Sequence, residues 1–152
     1  MTKEELLMED FKAVKLIFQK VGVRFFSIKG TTRASIRSAK FIDSDEGVQQ
    51  AIFATVQEEE LIKGLLVKEG FTLTSFDART IAVRNTTVSI YRVLKDDKGF
   101  YINDIPPYYF KENVLNTLVP AMLDKEFCFT QAHPVDYLTE IYGQNWSVSK
   151  NN

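Results

Sequence analysis

Apolar positions near the N-terminus repeat with helical spacing: Leu7, Phe11, Val14 and Phe18 fall at intervals of four, three and four. Thr2 with Glu5 forms a capping box before them and Gly22 follows them, which predicts a first helix between these limits. Residues 23–28 are rich in β-formers and predict a short strand. Gly30-Thr31-Thr32 breaks that strand, with Thr31 or Thr32 placed to cap a short helix running to about Arg37. Residues 41–48 (Phe-Ile-Asp-Ser-Asp-Glu-Gly-Val) predict a second strand or its end. Thr55 and Glu58 make another capping box, followed by Leu61, Ile62, Leu65 and Leu66 as a buried face, with Gly70 just past the helix. Glu58, Glu59 and Glu60 occupy its first turn, where the helix dipole favours acids on a solvated surface.

From residue 71 to residue 103 the period drops to two. Segments at 71–76, 80–84, 87–94 and 100–103 are separated by turn-forming residues, the pattern of an antiparallel meander. Pro106-Pro107 closes this region, and 108–122 predicts partial helix up to Pro120. Residues 126–131 predict a last strand, and Pro134 starts a helix that Gly143 stops. No repeat, low-complexity tract or linker interrupts the 152 residues. The expectation is one α+β domain over 1–152, with helices packed on a mixed sheet.

Composition narrows the chemistry. The chain is 45% hydrophobic and 26% charged with a net charge of -1, ordinary globular values that give no reason to expect nucleic-acid binding. One cysteine, Cys128, excludes internal disulfides and thiolate clusters, and between Phe127 and Phe129 it reads as a buried inert thiol. One histidine, His133, excludes His-rich metal sites and reads as structural before Pro134. No stretch approaches the roughly 18 apolar residues of a membrane span, and no leader pattern is present, which together imply a cytoplasmic protein. Carboxylates, hydroxyls, lysines and arginines are left to carry any chemistry.

Charge is unevenly placed. Residues 20–40 hold six bases (Lys20, Arg24, Lys29, Arg33, Arg37, Lys40) and no acid, and residues 41–60 hold six acids and no base. Arg33, Arg37 and Lys40 fall on one face of a helix beginning near Thr31, which is a solvated face when taken alone. A strand, a Gly-Thr turn and a helix N-terminus also present free backbone N–H groups to an anion, with those bases close by. Asp43 and Asp45, two apart on a strand, would point to one face. Two such carboxylates suit Mg²⁺ or Mn²⁺ when phosphate oxygens supply the remaining ligands.

Three segments together resemble the LicD/fukutin family of phosphotransferases, a branch of the nucleotidyltransferase fold. Residues 30–37 (Gly-Thr-Thr-Arg-Ala-Ser-Ile-Arg) resemble the family's Gly-Thr-Leu-Leu-Gly-x-x-Arg at Gly30, Thr31 and Arg37, with Lys29 in place of the usual first glycine. Residues 43–48 resemble its Asp-x-Asp-x-Gly-Val, and the closing segment Pro134 to Trp146 resembles its Pro-x-x-x-x-Tyr-Leu-x-x-x-Tyr-Gly-x-x-Trp with one residue of slack. The resemblance implies a metal-dependent transferase that moves a phosphorylated alcohol from a CDP-linked donor to a glycan or other hydroxyl acceptor, in cell-surface glycan modification. It implies Asp43 and Asp45 as catalytic metal ligands for Mg²⁺ or Mn²⁺. Gly30, Thr31, Arg33 and Arg37 would bind the donor phosphate or support its loop, and a partner protein could supply acceptor binding.

Departures from the family leave a second expectation open. The Pro-Trp and extra aspartates that precede the family's acid pair are missing, because Ile42 runs directly into Asp43. A third carboxylate is expected before two bulky apolar residues on a later strand, and there Ser89 precedes Ile90 and Tyr91. Serine bears no charge for a metal. Asp77, Asp97 or Asp104 could stand in only where the fold returns one to the site. The alternative is a catalytically degenerate nucleotidyltransferase-fold protein acting as a phosphate- or nucleotide-binding or regulatory module. Transfer from a nucleoside triphosphate is a third possibility, against which the C-terminal block speaks. Tyr142 and Trp146 read as clamps for the last helix.

Overall fold

The computed structural model describes residues 1–148. Helix α1 (Lys3–Val21) starts on the Thr2–Glu5 capping box and ends at Gly22, whose φ of 87° is the left-handed conformation that favours glycine. Strand β1 (Arg24–Ser27) leads into α2 (Lys29–Ser38), then β2 (Gly47–Phe53) and α3 (Val56–Lys68), whose N-terminus carries the Thr55–Glu58 capping box. Strands β3 (Thr72–Phe76), β4 (Arg79–Val83) and β5 (Thr87–Arg92) are three strands of the expected meander, whereas the fourth expected segment, at 100–103, pairs in a separate three-stranded sheet. They are followed by β6 (Leu94–Asp96), β7 (Gly99–Ile102), β8 (Tyr108–Tyr109), the hairpin β9 (Val119–Leu123) with β10 (Glu126–Thr130), and α4 (Pro134–Tyr142).

The main sheet has the order β1-β2-β5-β4-β3. Only β2 and β5 run parallel, and the other neighbours are antiparallel, so the sheet is mixed as expected. Alternation across the strands sends Phe25, Val48, Ile52, Val88 and Ile90 to one face, where Leu7, Phe11, Val14 and Phe18 of α1 and Ile62 and Leu66 of α3 cover them. The opposite face carries Phe26, Ala51 and Tyr91 under Ile102, Phe110 and Leu115. The two clusters are the two sides of one sheet. Among the described residues no helix is long and apolar enough to cross a membrane.

Several local expectations are corrected. Thr31 and Thr32 do not cap α2, which begins at Lys29 with no side-chain cap, and both threonines are buried inside its first turns. Residues 41–46 form a turn rather than a strand, and β2 starts only at Gly47. Residues 108–122 hold no helix; they contain β8 and most of β9, with Pro120 in a two-stranded hairpin where a missing N–H is tolerated. Leu61 is 61% exposed, so the buried face of α3 is Ile62 and Leu66, flanked by half-buried Leu65. Glu59 is buried rather than solvated, and its carboxylate lies 3.3 Å from Arg92 of β5.

Candidate functional site

A polar cavity of about 410 Å³ opens where the start of α2 meets the sheet. Lys29, Gly30 and Arg33 of α2 and the turn residues Ser44, Asp45 and Glu46 form one wall. Gly47 and Gln49 of β2 and Ser89 and Tyr91 of β5 form the floor, and Arg79, Asp104 and Tyr142 complete the lining. Period-two alternation decides the floor: once β2 starts at Gly47, the positions facing the cavity are Gly47 and Gln49, and the parallel register sets Ser89 against Gln49.

The loop and the floor are joined by the threonine that was expected to grip phosphate. The Gln49 backbone N–H donates to the Thr31 hydroxyl at 2.8 Å, while the Thr31 N–H and hydroxyl both donate to Gln49 Oε1, at 3.2 and 3.3 Å. Gly30 allows this approach, since a Cβ there would lie 3.0 Å from Gln49 Oε1. Thr31 thus holds helix to strand, while Gly30 lines the cavity.

Asp43 and Asp45 are not a facing pair. Asp45 is 2% exposed; its Oδ2 accepts from Arg37 at 3.1 Å and from the Ile42 backbone N–H at 2.7 Å, and Arg33 lies 3.9 Å from Oδ1. Asp43 is exposed and lines a separate hollow beside α1, and its backbone carbonyl accepts from Lys3. The turn at 43–44 separates them because the strand on which the alternation rule would align them has not yet begun. Arg37 is engaged with Asp45 and supports the loop, whereas Arg33 reaches the cavity with its guanidinium 4.3 Å from the Tyr142 ring.

Asp104 is the acid the fold does return to the site, and it comes paired. Its carboxylate lies 2.5 Å from the Lys29 ammonium and accepts from the Tyr91 hydroxyl at 3.2 Å. Burial opposes the charge on both partners, yet the mutual hydrogen bond and attraction prevail, raising the Lys29 pKa and lowering that of Asp104. Tyr91, Tyr137 and Tyr142 are all pushed upward, chiefly by burial, and stay neutral. Lys29 itself has a φ of 50°, a left-handed conformation that costs a non-glycine residue about 1–2 kcal/mol, and its backbone N–H donates to the Tyr137 hydroxyl at 2.9 Å.

Arg79 was not anticipated. It opens β4, lies over the rings of Phe76 and Tyr91 at 5.0 and 5.7 Å, and its Nε is buried without a hydrogen-bond partner. Among the described residues it has no ion pair. Gln49 was also missed, although counting in twos from Asp45 would have reached it.

The class defined by this sheet, with helices on it and a helix N-terminus opening on a cavity, is the nucleotidyltransferase-like α+β fold. The crystal structure of lincosamide antibiotic adenylyltransferase LnuA with lincomycin bound superposes with a TM-score of 0.63 over 99% of this chain and 91% of that one, at 10% identity. No family model and no curated protein sequence matches the chain, so membership in the LicD/fukutin family is not carried by these comparisons.

The divalent cation associated with this fold does not fit the residues present. Gln49 and Ser89 bear no charge, Asp104 is held by Lys29, Asp45 is held through Oδ2 by Arg37 with Oδ1 lacking a hydrogen bond, and Glu46 is the one further carboxylate on the lining. No group of three or more His, Cys, Asp or Glu side chains among the described residues could share a metal ion. Gly47 also resists a carboxylate, since a Cβ there would sit 2.5 Å from the Thr87 backbone oxygen. Gly47→Ala is expected to destabilise the protein by about 1–3 kcal/mol in urea unfolding, because β5 must shift to admit the methyl group.

Proposed function

We propose that this chain is a nucleotidyltransferase-fold protein that lacks metal-dependent transfer and serves as a binding module for a phosphate-bearing small molecule such as a nucleotide. Its main support is the cavity floor: the strand positions facing the ligand space are Gly47, Gln49 and Ser89, none of them able to carry charge to a metal. Lys29, Arg33 and Arg79 leave the same cavity well supplied with groups that bind phosphate oxygens. The fit to a known adenylyltransferase over nearly the whole chain favours a nucleotide over other anions.

The test compares CDP and ATP, each with EDTA and with Mg²⁺, by calorimetry and thermal melting, alongside a ³¹P assay for donor cleavage. A ligand at about ten times its Kd should raise the melting temperature by about 3–6 °C, equally with EDTA and with Mg²⁺. No cleavage is expected. Mg²⁺-dependent turnover, or a shift seen only with Mg²⁺, would restore the active transferase using a CDP-linked or triphosphate donor.

A further inference from the structure

Three observations at the cavity converge on one side chain. Lys29 keeps a left-handed backbone that glycine would adopt without strain, so its side chain, not its backbone, accounts for its presence there. That side chain is fixed: Asp104 holds the ammonium at 2.5 Å and the Tyr91 ring lies 5.7 Å away, while the Tyr91 hydroxyl in turn bonds Asp104. The strand residues beside it, Gln49 and Ser89, offer a divalent cation no carboxylate.

We infer that the Lys29 ammonium is a tethered cation that takes the place of a divalent metal, and that with Arg79 it receives the phosphate of a mono- or diphosphate ester. The inference rests on the binding reading above and names the residues and ligand chemistry of that site. The side chains around Lys29 support it. Arg33 lies beside Asp45 and Lys29 is matched by Asp104, while Arg79, on the same lining, has no carboxylate partner among the described residues. The lining as a whole is balanced, with Glu46, exposed, as the one acid that no base holds. The guanidinium groups of Arg79 and Arg33 on this lining are donors suited to phosphate oxygens.

CDP, pyrophosphate and inorganic phosphate are titrated in EDTA into the wild type, Lys29→Gly and Lys29→Arg, with melting curves for each. Lys29→Gly relieves the backbone while removing the charge, so the melting temperature should hold within about 3 °C while CDP affinity falls about tenfold or more. Lys29→Arg should keep CDP affinity within about threefold, and pyrophosphate should compete with CDP in the wild type. Wild-type affinity in Lys29→Gly, or loss of affinity in Lys29→Arg, overturns the inference. Should Lys29→Gly melt lower, Lys29→Arg alone decides. A wild type that binds CDP in EDTA while Lys29→Gly binds equally well sinks only the role of Lys29. A wild type that turns over donor with Mg²⁺ sinks the binding-module reading itself.

Discussion

Replacing Asp10 by alanine is expected to lower the free energy of unfolding by about 3–5 kcal/mol, the usual cost of removing one partner from a buried ion pair. Asp10 is fully buried and saturated with donors. Its Oδ1 accepts from Arg84 Nε at 2.9 Å and Asn85 Nδ2 at 3.2 Å, and its Oδ2 from the Thr86 backbone N–H at 2.8 Å and the Thr86 hydroxyl at 2.7 Å. Alanine leaves the Thr86 N–H without its acceptor and the Arg84 guanidinium without its counter-ion, at the junction of α1 with the turn between β4 and β5. Urea unfolding reads the loss directly, and the melting temperature should fall by on the order of 10 °C. A drop below about 1 kcal/mol would mean that solvent replaces the network at little cost.

The second large effect separates two roles for Asp45. As a structural acid it compensates Arg37 and Arg33 and holds the Ile42 N–H, so Asp45→Ala should cost about 3 kcal/mol of stability. Asp45→Asn keeps an acceptor but loses the charge, and its cost should be smaller. Nucleotide affinity of Asp45→Asn should be the same in EDTA and in Mg²⁺, since the carboxylate is held by Arg37 with Arg33 beside it. A ligand-induced melting shift that needs Mg²⁺ in the wild type and vanishes in Asp45→Asn would return Asp45 to the catalytic role implied by the family resemblance.

What local chemistry dictates was legible in the chain. Thr2–Glu5 and Thr55–Glu58 close as capping boxes, Pro134 and Gly143 bound α4, and period-two alternation marks β3, β4 and β5, because each signal is satisfied within a few residues. The start of β2 was misread for a tertiary reason. Phe41 and Ile42 look like the opening of a strand, but Phe41 is a buried anchor of the turn and the Asp45 carboxylate caps the Ile42 N–H. That six-residue displacement, from Phe41 to Gly47, moved the candidate acids off the cavity floor and hid Gln49. In 108–122, Val114, Leu115 and Leu118 mimic helical spacing, yet Leu115 is buried in the second cluster and Val114 and Leu118 pack beside it from irregular chain. The Lys29–Asp104 pair and Arg79 come from three distant segments, and no local pattern joins them.

The anchoring of Asp10 also sets an order of events during synthesis. Its last donors arrive from Thr86, 76 residues further along the chain. At about 5–20 residues per second a ribosome needs roughly 4–15 s to deliver them. Through much of that interval the Leu7–Phe11–Val14–Phe18 stripe has Phe25, Val48 and Ile52 of the early strands but lacks Ala82, Val88 and Ile90. The first helix therefore gains the partners of its buried carboxylate only after the hairpin that carries them has emerged.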